Sequence, residues 1–354
     1  MANKVTGKTD TSGALTTAPV SVKSIVVMGK AGSDATATDI NANELFSITG
    51  TADAVTAFGA TSKIPAMVRV LISNGVDNIV GMVIDGGTEG TEIATALEAS
   101  MSDKTIKVVL LDTNDTATIA AVKDHLTVCE ANDMFRYSVF APNDDDTVSQ
   151  TKLTAFAASI ASDRIFVPGP GLLQSSGRAV PQLVATGLAA LIMTETSDPA
   201  LPMNGVQIAG FTGVSRTLLE TEMKALAMAG VTPIYMEGAT PAVYRLVTSV
   251  AATNNVWLEG TTRFIADYVL ESNEELLRAN YKRTKNVVRI LNAIKGDIKI
   301  NMEKMESLEI IENWDESTLT VVKDPMDAYG ALIDYEFDVV TPLYTITINQ
   351  HMKI

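Results

Sequence analysis

The sequence predicts an α/β fold joined to an α+β unit: a mainly parallel, helix-covered sheet domain followed by a C-terminal helix-and-strand domain. Three observations carry this. Between residues 92 and 194 apolar strand runs and helical stretches alternate regularly, the rhythm of crossover-linked parallel strands with helices on both faces. After about residue 254 two helical stretches come close together, and the chain then turns to strands. We therefore expect an N-terminal arm over residues 1–20, an α/β domain over 21–254 and an α+β domain over 255–354.

The first nineteen residues, "MANKVTGKTDTSGALTTAP", are rich in Thr, Ser, Gly and Ala and carry no sustained period, which makes them an arm with no partner of its own. A short apolar strand begins at "SVKSIVVMG". A loop follows, then a turn at "AFGATS", a helix over Ile64–Ser73 stopped by Gly75, and a strand over 78–84. The alternation then runs helix 92–101, strand 106–111, helix 116–131, strand 136–140, helix 147–162, strand 164–167 and helix 181–194. A strand over 206–211, a helix over 217–229 and a strand over 232–235 are expected to extend the same layer. Helices over 262–280 and 285–305 open the last domain, and "STLTVVKD", "ALIDYEFDVV" and "LYTITINQ" read as its strands.

The ending, "DYEFDVVTPLYTITINQHMKI", is unusual. Tyr335, Phe337 and Val339 alternate with Glu336 and Asp338; beyond Pro342, Tyr344, Ile346 and Ile348 alternate with Thr345, Thr347 and Asn349. Chain ends usually fray, and a strand left at a sheet edge invites pairing with another chain.

Composition narrows the function. Apolar residues make up 46% of the 354 and charged residues 19%, enough to bury a core. No apolar run reaches the roughly 20 residues that cross a bilayer, so no membrane span is expected. A single cysteine, Cys129, rules out an internal disulfide. The formal net charge of −15 makes direct nucleic-acid binding by the whole chain a poor expectation. His125 and His351 are far apart and have no companion at zinc-ligand spacing, so no metal, cofactor or His-based catalytic relay is expected.

Strand ends of a parallel sheet are where such folds take ligands. "LLDTND" places Asp112 and Asp115 there, "APNDDDT" places Asp144, Asp145 and Asp146, and "VPGPG" follows a third strand. Those carboxylates suit either Mg²⁺ or Ca²⁺ or, more simply, helix capping by Asp115 and by Asp146 or Thr147. The glycine stretches miss their templates. "GKAGSD" lacks phosphate-loop spacing, "GPGLLQ" has Gln174 where the dinucleotide fingerprint needs glycine, and "GVSRT" lacks the closing glycine of a nucleophile elbow. Cys129 lies on the stripe Ile119, Val122 and Leu126, as a core residue would, and His125 is its structural neighbour.

"RANYKRTKNVVRILNAIKGDIK" departs most from the average. It holds seven basic residues and one acid. Val287, Ile290, Leu291, Ile294 and Ile298 form one apolar stripe, and Lys282, Lys285, Arg289 and Lys299 fall on the opposite face. Such a helix is either simply solvated on its basic face or a ridge that docks on an acidic partner.

In order and spacing these features resemble the tail sheath proteins of contractile bacteriophages and of R-type bacteriocin (diffocin-like) particles. "VKSIVVMGKAGSD" followed by "DAVTAFGATSKIPAMVRVLISNG" resembles the family's opening strand, loop and turn before a helix, with Phe58, Gly59 and Ser62 as the matching positions. "RFIADYVLESNEELLRANYKRTKN" resembles its long helical segment and "GALIDYEFDVVTPLYTITINQ" its closing strands around a proline, here Pro342. The likeness is strongest at the two ends. The family's aromatic and Pro-Gly-Val signature is reduced here to "APVSV", and large outer insertion domains are not expected in a chain of this length.

The resemblance implies a structural subunit and not an enzyme. It implies polymerisation with itself as stacked hexameric rings around an inner tail tube, baseplate and tail terminator proteins as further partners, and contraction that drives the tube through a target envelope. It places the protein in the bacterial cytoplasm during assembly, then in a virion tail or a released phage-tail-like particle. Terminal arms would donate strands to neighbouring subunits, through Val20 and Val22 at one end and Tyr344, Ile346 and Ile348 at the other. Lys282, Lys285 and Arg289 would contact the inner tube. Two other classes fit the residues alone: a metal-dependent α/β enzyme using the strand-end carboxylates, and a monomeric α/β binding module.

Overall fold

A computed structural model describes residues 23–37, 40–84, 90–143, 149–251, 256–327 and 329–344. Strand β1 (Ser24–Gly29) is buried along its whole length, and its alternate residues enter two different cores. Ile25 and Val27 pack on one side; Val26 and Met28 pack on the other. That is why the strand reads as an unbroken apolar run rather than an alternation.

There follow β2 (Leu45–Ile48), α1 (Thr51–Phe58), α2 (Ile64–Ser73), β3 (Ile79–Val83), α3 (Gly90–Ser100), β4 (Ile106–Leu111), α4 (Thr116–Glu130), β5 (Tyr137–Val139), α5 (Gln150–Ile160) and β6 (Ile165–Phe166). They build a six-stranded sheet of order β2-β3-β1-β4-β5-β6. All neighbours are parallel except the edge pair β2 and β3. β1 sits centrally, so the chain winds first to one side of it and then to the other, the doubly wound pattern.

β2 and α1 arise where the sequence suggests only a loop and a turn. Strand β2 is four residues long, too short for a readable period, and Gly50 precedes α1 without a capping side chain. Gly81 of β3 makes room for this edge, since a Cβ there would lie 2.5 Å from the Phe46 ring. Helix α2 has the expected bounds. Gly75 ends it at φ +82°, and the Val76 amide donates back to the Leu71 carbonyl at 3.1 Å, closing the last turn around a left-handed residue.

Beyond the main sheet come β7 (Pro168–Gly169), β8 (Leu172–Gln174), β9 (Gly177–Arg178), α6 (Pro181–Glu195), β10 (Gly213–Val214), α7 (Glu220–Met228), β11 (Thr232–Glu237) and β12 (Thr240–Val243). β11 does not extend the six-stranded sheet; it pairs with β7 and β12 in a three-stranded sheet of its own. The strand expected over 206–211 is absent, with only a single bridge from Gln207 to Ala242. Its apolar residues are spent on helix packing instead. At Gly187 of α6 a Cβ would meet Ile208 at 2.8 Å and Phe211 at 3.1 Å, so the glycine admits both side chains against the helix. Helix α7 begins at Glu220 rather than 217, where the Leu219 amide donates to the Glu222 carboxylate at 2.9 Å.

By contact density the described chain forms two units, residues 23–267 with 341–344 and residues 268–340. Helix α8 (Gly260–Tyr281) starts in the first and continues into the second. The second then holds α9 (Val288–Ser307), β13 (Ile311–Glu312), β14 (Thr320–Lys323), β15 (Ala331–Asp334) and β16 (Asp338–Val339). Leu291, Ile294 and Ile298 of α9 are buried as the stripe predicts, while Val287 is exposed and precedes the helix as its N-cap. Asn301 donates to the Ser272 hydroxyl at 3.1 Å and to the Asn273 amide oxygen at 2.9 Å, so the buried polar atoms between α8 and α9 satisfy one another.

The strand expected over 331–340 is divided. β15 pairs with β14, and β16 pairs with β13. The break falls where the Asn273 amide donates to the Tyr335 hydroxyl at 3.2 Å and Tyr335 packs against Trp314 and Phe337. The period of two survives it: Ile333, Tyr335, Phe337 and Val339 are half-buried and Asp334, Glu336 and Asp338 exposed.

A Cβ at position 75 would have its nearest neighbour 3.9 Å away, at Thr194. Gly75→Ala therefore meets no clash and suffers only the left-handed backbone, a cost of about 1 kcal/mol. Denaturant titration should show a lower midpoint with an unchanged slope.

Candidate functional site

Among the described residues, the strand ends hold structural rather than convergent chemistry. Asp115 caps α4, accepting from the Thr118 amide at 2.9 Å and the Thr118 hydroxyl at 2.7 Å. Asp112 accepts from the Lys30 amide at 3.1 Å and packs against Gly29, where a Cβ would sit 2.6 Å from its carboxylate. Burial pushes its carboxyl above the usual range. Helix α5 is capped by Ser149, whose hydroxyl accepts from the Lys152 amide at 3.4 Å. Asp144, Asp145, Asp146 and Thr147 lie outside the described residues, as does His351. Among the described residues no three His, Cys, Asp or Glu side chains converge as a metal site would require.

Cys129 is fully buried, and its neighbour His125 takes part in a network under α4. Arg136 reaches the Ser100 hydroxyl at 2.8 Å, the Ser100 carbonyl at 2.9 Å, the Asp103 carbonyl at 2.7 Å and the His125 Nε2 at 3.1 Å. Burial, reinforced by the Arg136 charge, lowers the His125 pKa to about 4. The imidazole is therefore neutral near pH 7 and accepts from the guanidinium.

A second buried network was not foreseen from the sequence. Arg164, 2% exposed, grips Asp267 of α8 in bidentate fashion at 2.7 and 3.0 Å and Glu130 at 3.2 and 3.0 Å. Arg263 pairs with Glu130 and lies 3.3 Å from Asp163. The Tyr137 hydroxyl donates to Asp267. Two guanidiniums thus face three carboxylates, leaving one surplus negative charge. Burial raises the Asp267 pKa to about 6 against the pull of Arg164, and burial also raises Asp163. The visible signal is an arginine directly before the apolar run "IFV", a position seldom given to a charge unless it is paired.

The basic stretch lies at the α8–α9 connection. Lys282 follows the last residue of α8, Lys285 lies in the connection and Arg289 is in the first turn of α9; all three are exposed. Among the described residues none of them forms an ion pair, whereas Lys299 is bound to Glu316 and lies 3.7 Å from Glu303. Lys282 suits the negative end of α8. Arg289 stands at the positive end of α9, where the helix dipole disfavours a cation, so local helix stability does not account for it.

Of the residues expected to exchange strands, Val20, Val22, Ile346 and Ile348 lie outside the described residues. Tyr344 is held by its own chain. Its hydroxyl donates to Glu259 at 2.9 Å, and its ring lies 4.8 Å from the Arg245 guanidinium, which is itself paired with Glu259.

Residues 86–249 match the family model of the phage tail sheath protein central domain. Over these residues the chain is similar to the contractile tail sheath family. No curated protein sequence matches it. Among solved structures, the chain resembles one from the helical sheath of the anti-feeding prophage in its contracted state, with a TM-score of 0.73, 13% identity and coverage of 99% and 100% of the two chains. It also resembles the sheath tail protein of Listeria innocua, with a TM-score of 0.71, 11% identity and coverage of 92% and 94%. An extracellular contractile injection system sheath complex in the contracted state gives a TM-score of 0.72, 12% identity and coverage of 100% and 98%. At such identities these are likenesses of fold, and they run over nearly the whole length of the chain.

The buried network makes two predictions. Arg164→Met removes the bidentate partner of Asp267, leaving it Arg263 at 3.5 Å and the Tyr137 hydroxyl, and should cost about 3 kcal/mol by chemical denaturation. Because the folded Asp267 pKa is raised from 3.8 to about 6, its contribution to stability is full below about pH 4 and is lost as pH rises through about 6. Asp267→Asn should flatten the stability profile between about pH 4 and 6, read from denaturation midpoints across that range.

Proposed function

We propose that the chain is the structural subunit of a contractile tail sheath, polymerising as hexameric rings stacked around an inner tube and contracting to drive that tube through a target cell envelope. The observation that carries the reading is the central-domain match over residues 86–249, set in a fold that aligns end to end with sheath proteins. An interface that does not close on itself generates a helical lattice, and contraction draws its energy from contacts that differ between two states.

Self-association through strand exchange is supported by the second unit. Its β13–β16 and β14–β15 pairs are two-stranded sheets whose outer edges have no partner among the described residues. Two-stranded sheets are marginal alone, and an added strand supplies a ladder of main-chain hydrogen bonds. We assign the donors to an N-terminal arm around Val20 and Val22 and to Ile346 and Ile348, with Tyr344 as the intramolecular anchor from which the last segment departs. Lys282, Lys285 and Arg289 are assigned to the inner tube. Baseplate and tail terminator proteins would cap the lattice. Assembly would take place in the bacterial cytoplasm, and the product would be a virion tail or a phage-tail-like particle. The reading gives the chain no catalytic step, in keeping with Asp115 and Asp112 being engaged by backbone amides.

Negative-stain microscopy of the co-expressed particle components should show hollow tubes of stacked rings; monodisperse monomers at high concentration would refute the reading. The triple change Lys282→Glu, Lys285→Glu, Arg289→Glu should leave circular dichroism unchanged and abolish sheathing of tubes at physiological salt. Deleting residues 345–354 should yield folded subunits that sediment as monomers.

A further inference from the structure

The most exposed large apolar side chains in the described chain sit on one turn. Met326 is 93% exposed and Tyr329 95%. Surfaces rarely leave such residues open without use, and Tyr and Met are enriched where proteins meet. The turn that bears them is pinned. The Met326 amide donates to the Asp324 carboxylate at 2.7 Å, the Tyr329 amide to Asp327 at 2.9 Å and the Gly330 amide to the Asp327 carbonyl at 3.0 Å. The two aspartates of the turn are thus bound to its own amides, and the apolar pair is held in place before any partner arrives.

This turn adjoins the basic connection of the same unit. The Asn286 side chain donates to the Gly330 carbonyl at 2.8 Å, joining the residue after Lys285 to the residue after Tyr329. Next to Asn286 stand Val287, 42% exposed, and Val288, 67% exposed. One end of the unit therefore gathers four exposed apolar side chains beside Lys282, Lys285 and Arg289. An apolar centre with a charged rim is the anatomy of a protein-binding surface, and cations without internal partners ask for carboxylates opposite.

We propose that Val287, Val288, Met326 and Tyr329 form the apolar centre of the tube-docking face, and that the surface they meet is an acidic protein surface with an apolar patch inside a rim of carboxylates. This rests on the tube-contact reading above and assigns most of the affinity to the turn rather than to the lysines. Rim charges in water contribute little each and act chiefly on encounter and register, whereas a Met and a Tyr buried on docking act as anchors.

The test uses the full chain, preassembled inner tubes of the same particle as probe, and co-sedimentation at low and at physiological salt. Met326→Ser with Tyr329→Ser alters only solvated side chains and should keep the fold by circular dichroism. The expected result is a tenfold or greater loss of tube binding at both salt concentrations, with polymerisation in the absence of tubes unchanged. If the charge-reversed triple variant loses binding and the Met326/Tyr329 variant retains it, the apolar centre is refuted while the tube contact stands. If both variants bind as the parent does, both assignments fall. If the Met326/Tyr329 variant binds tubes but no longer polymerises, the turn docks on a second copy of the chain, and the proposal is wrong.

Discussion

The grip of Arg164 on Asp267 and Glu130 is the constraint on which the architecture turns. Arg164 stands just before β6, Glu130 ends α4 and Asp267 lies in the opening turns of α8. Side chains from three separated parts of the chain thus meet at one buried guanidinium. An ion cluster taken out of water gains little over well-packed apolar residues, so its value here is geometric. Both carboxylates are gripped in bidentate fashion, which fixes direction as well as distance. Arg263 and Tyr137 complete the shell around the same acids. The start of α8 is thereby fixed in rotation within the first unit.

Legibility followed the length of the local signal. Helix α2, strand β4 and the start of α6 coincide with the expected bounds because each has a clear period and a clear stop, such as Gly75 or Pro181. The run 206–211 was misread because an apolar stretch is the same string whether it pairs in a sheet or packs beneath a helix, and the deciding residue, Gly187, lies some twenty positions earlier. β2 and α1 were invisible because a four-residue strand has no period to read. For the candidate surfaces, the basic connection was legible as charge against a net of −15. The exposed pair Met326 and Tyr329 was not, since a Met and a Tyr in a loop look the same whether they fold inward or outward.

The distribution of polar chemistry separates a scaffold from an active centre. Asp115 is spent on a cap, His125 on Arg136, and Asp163 and Asp267 on arginines. Each of these groups is engaged in holding the fold. Burial shifts His125 down and Asp267 up, yet neither change aims a reactive atom at a space where a substrate could stand. Perturbed titration marks function only when geometry converges with it, and here it converges inward, on the packing of α4 and α8.

Unspent capacity is found instead in the second unit, and it is of a different kind. Strand edges without partners, cations without carboxylates and apolar side chains in water are each a cost in an isolated chain. Arg289 faces the wrong end of a helix dipole, and Met326 and Tyr329 are held outward by a turn whose own polar groups are satisfied. A monomer would gain by burying or neutralising these groups, but the hydrogen-bonded turn keeps the apolar pair in water. Their persistence together at one end of one unit is therefore understandable only if association covers them. The first unit turns its charged groups inward on one another, as Arg164 does with Asp267 and Glu130, whereas the second leaves Met326 and Tyr329 in water, where only another chain could cover them.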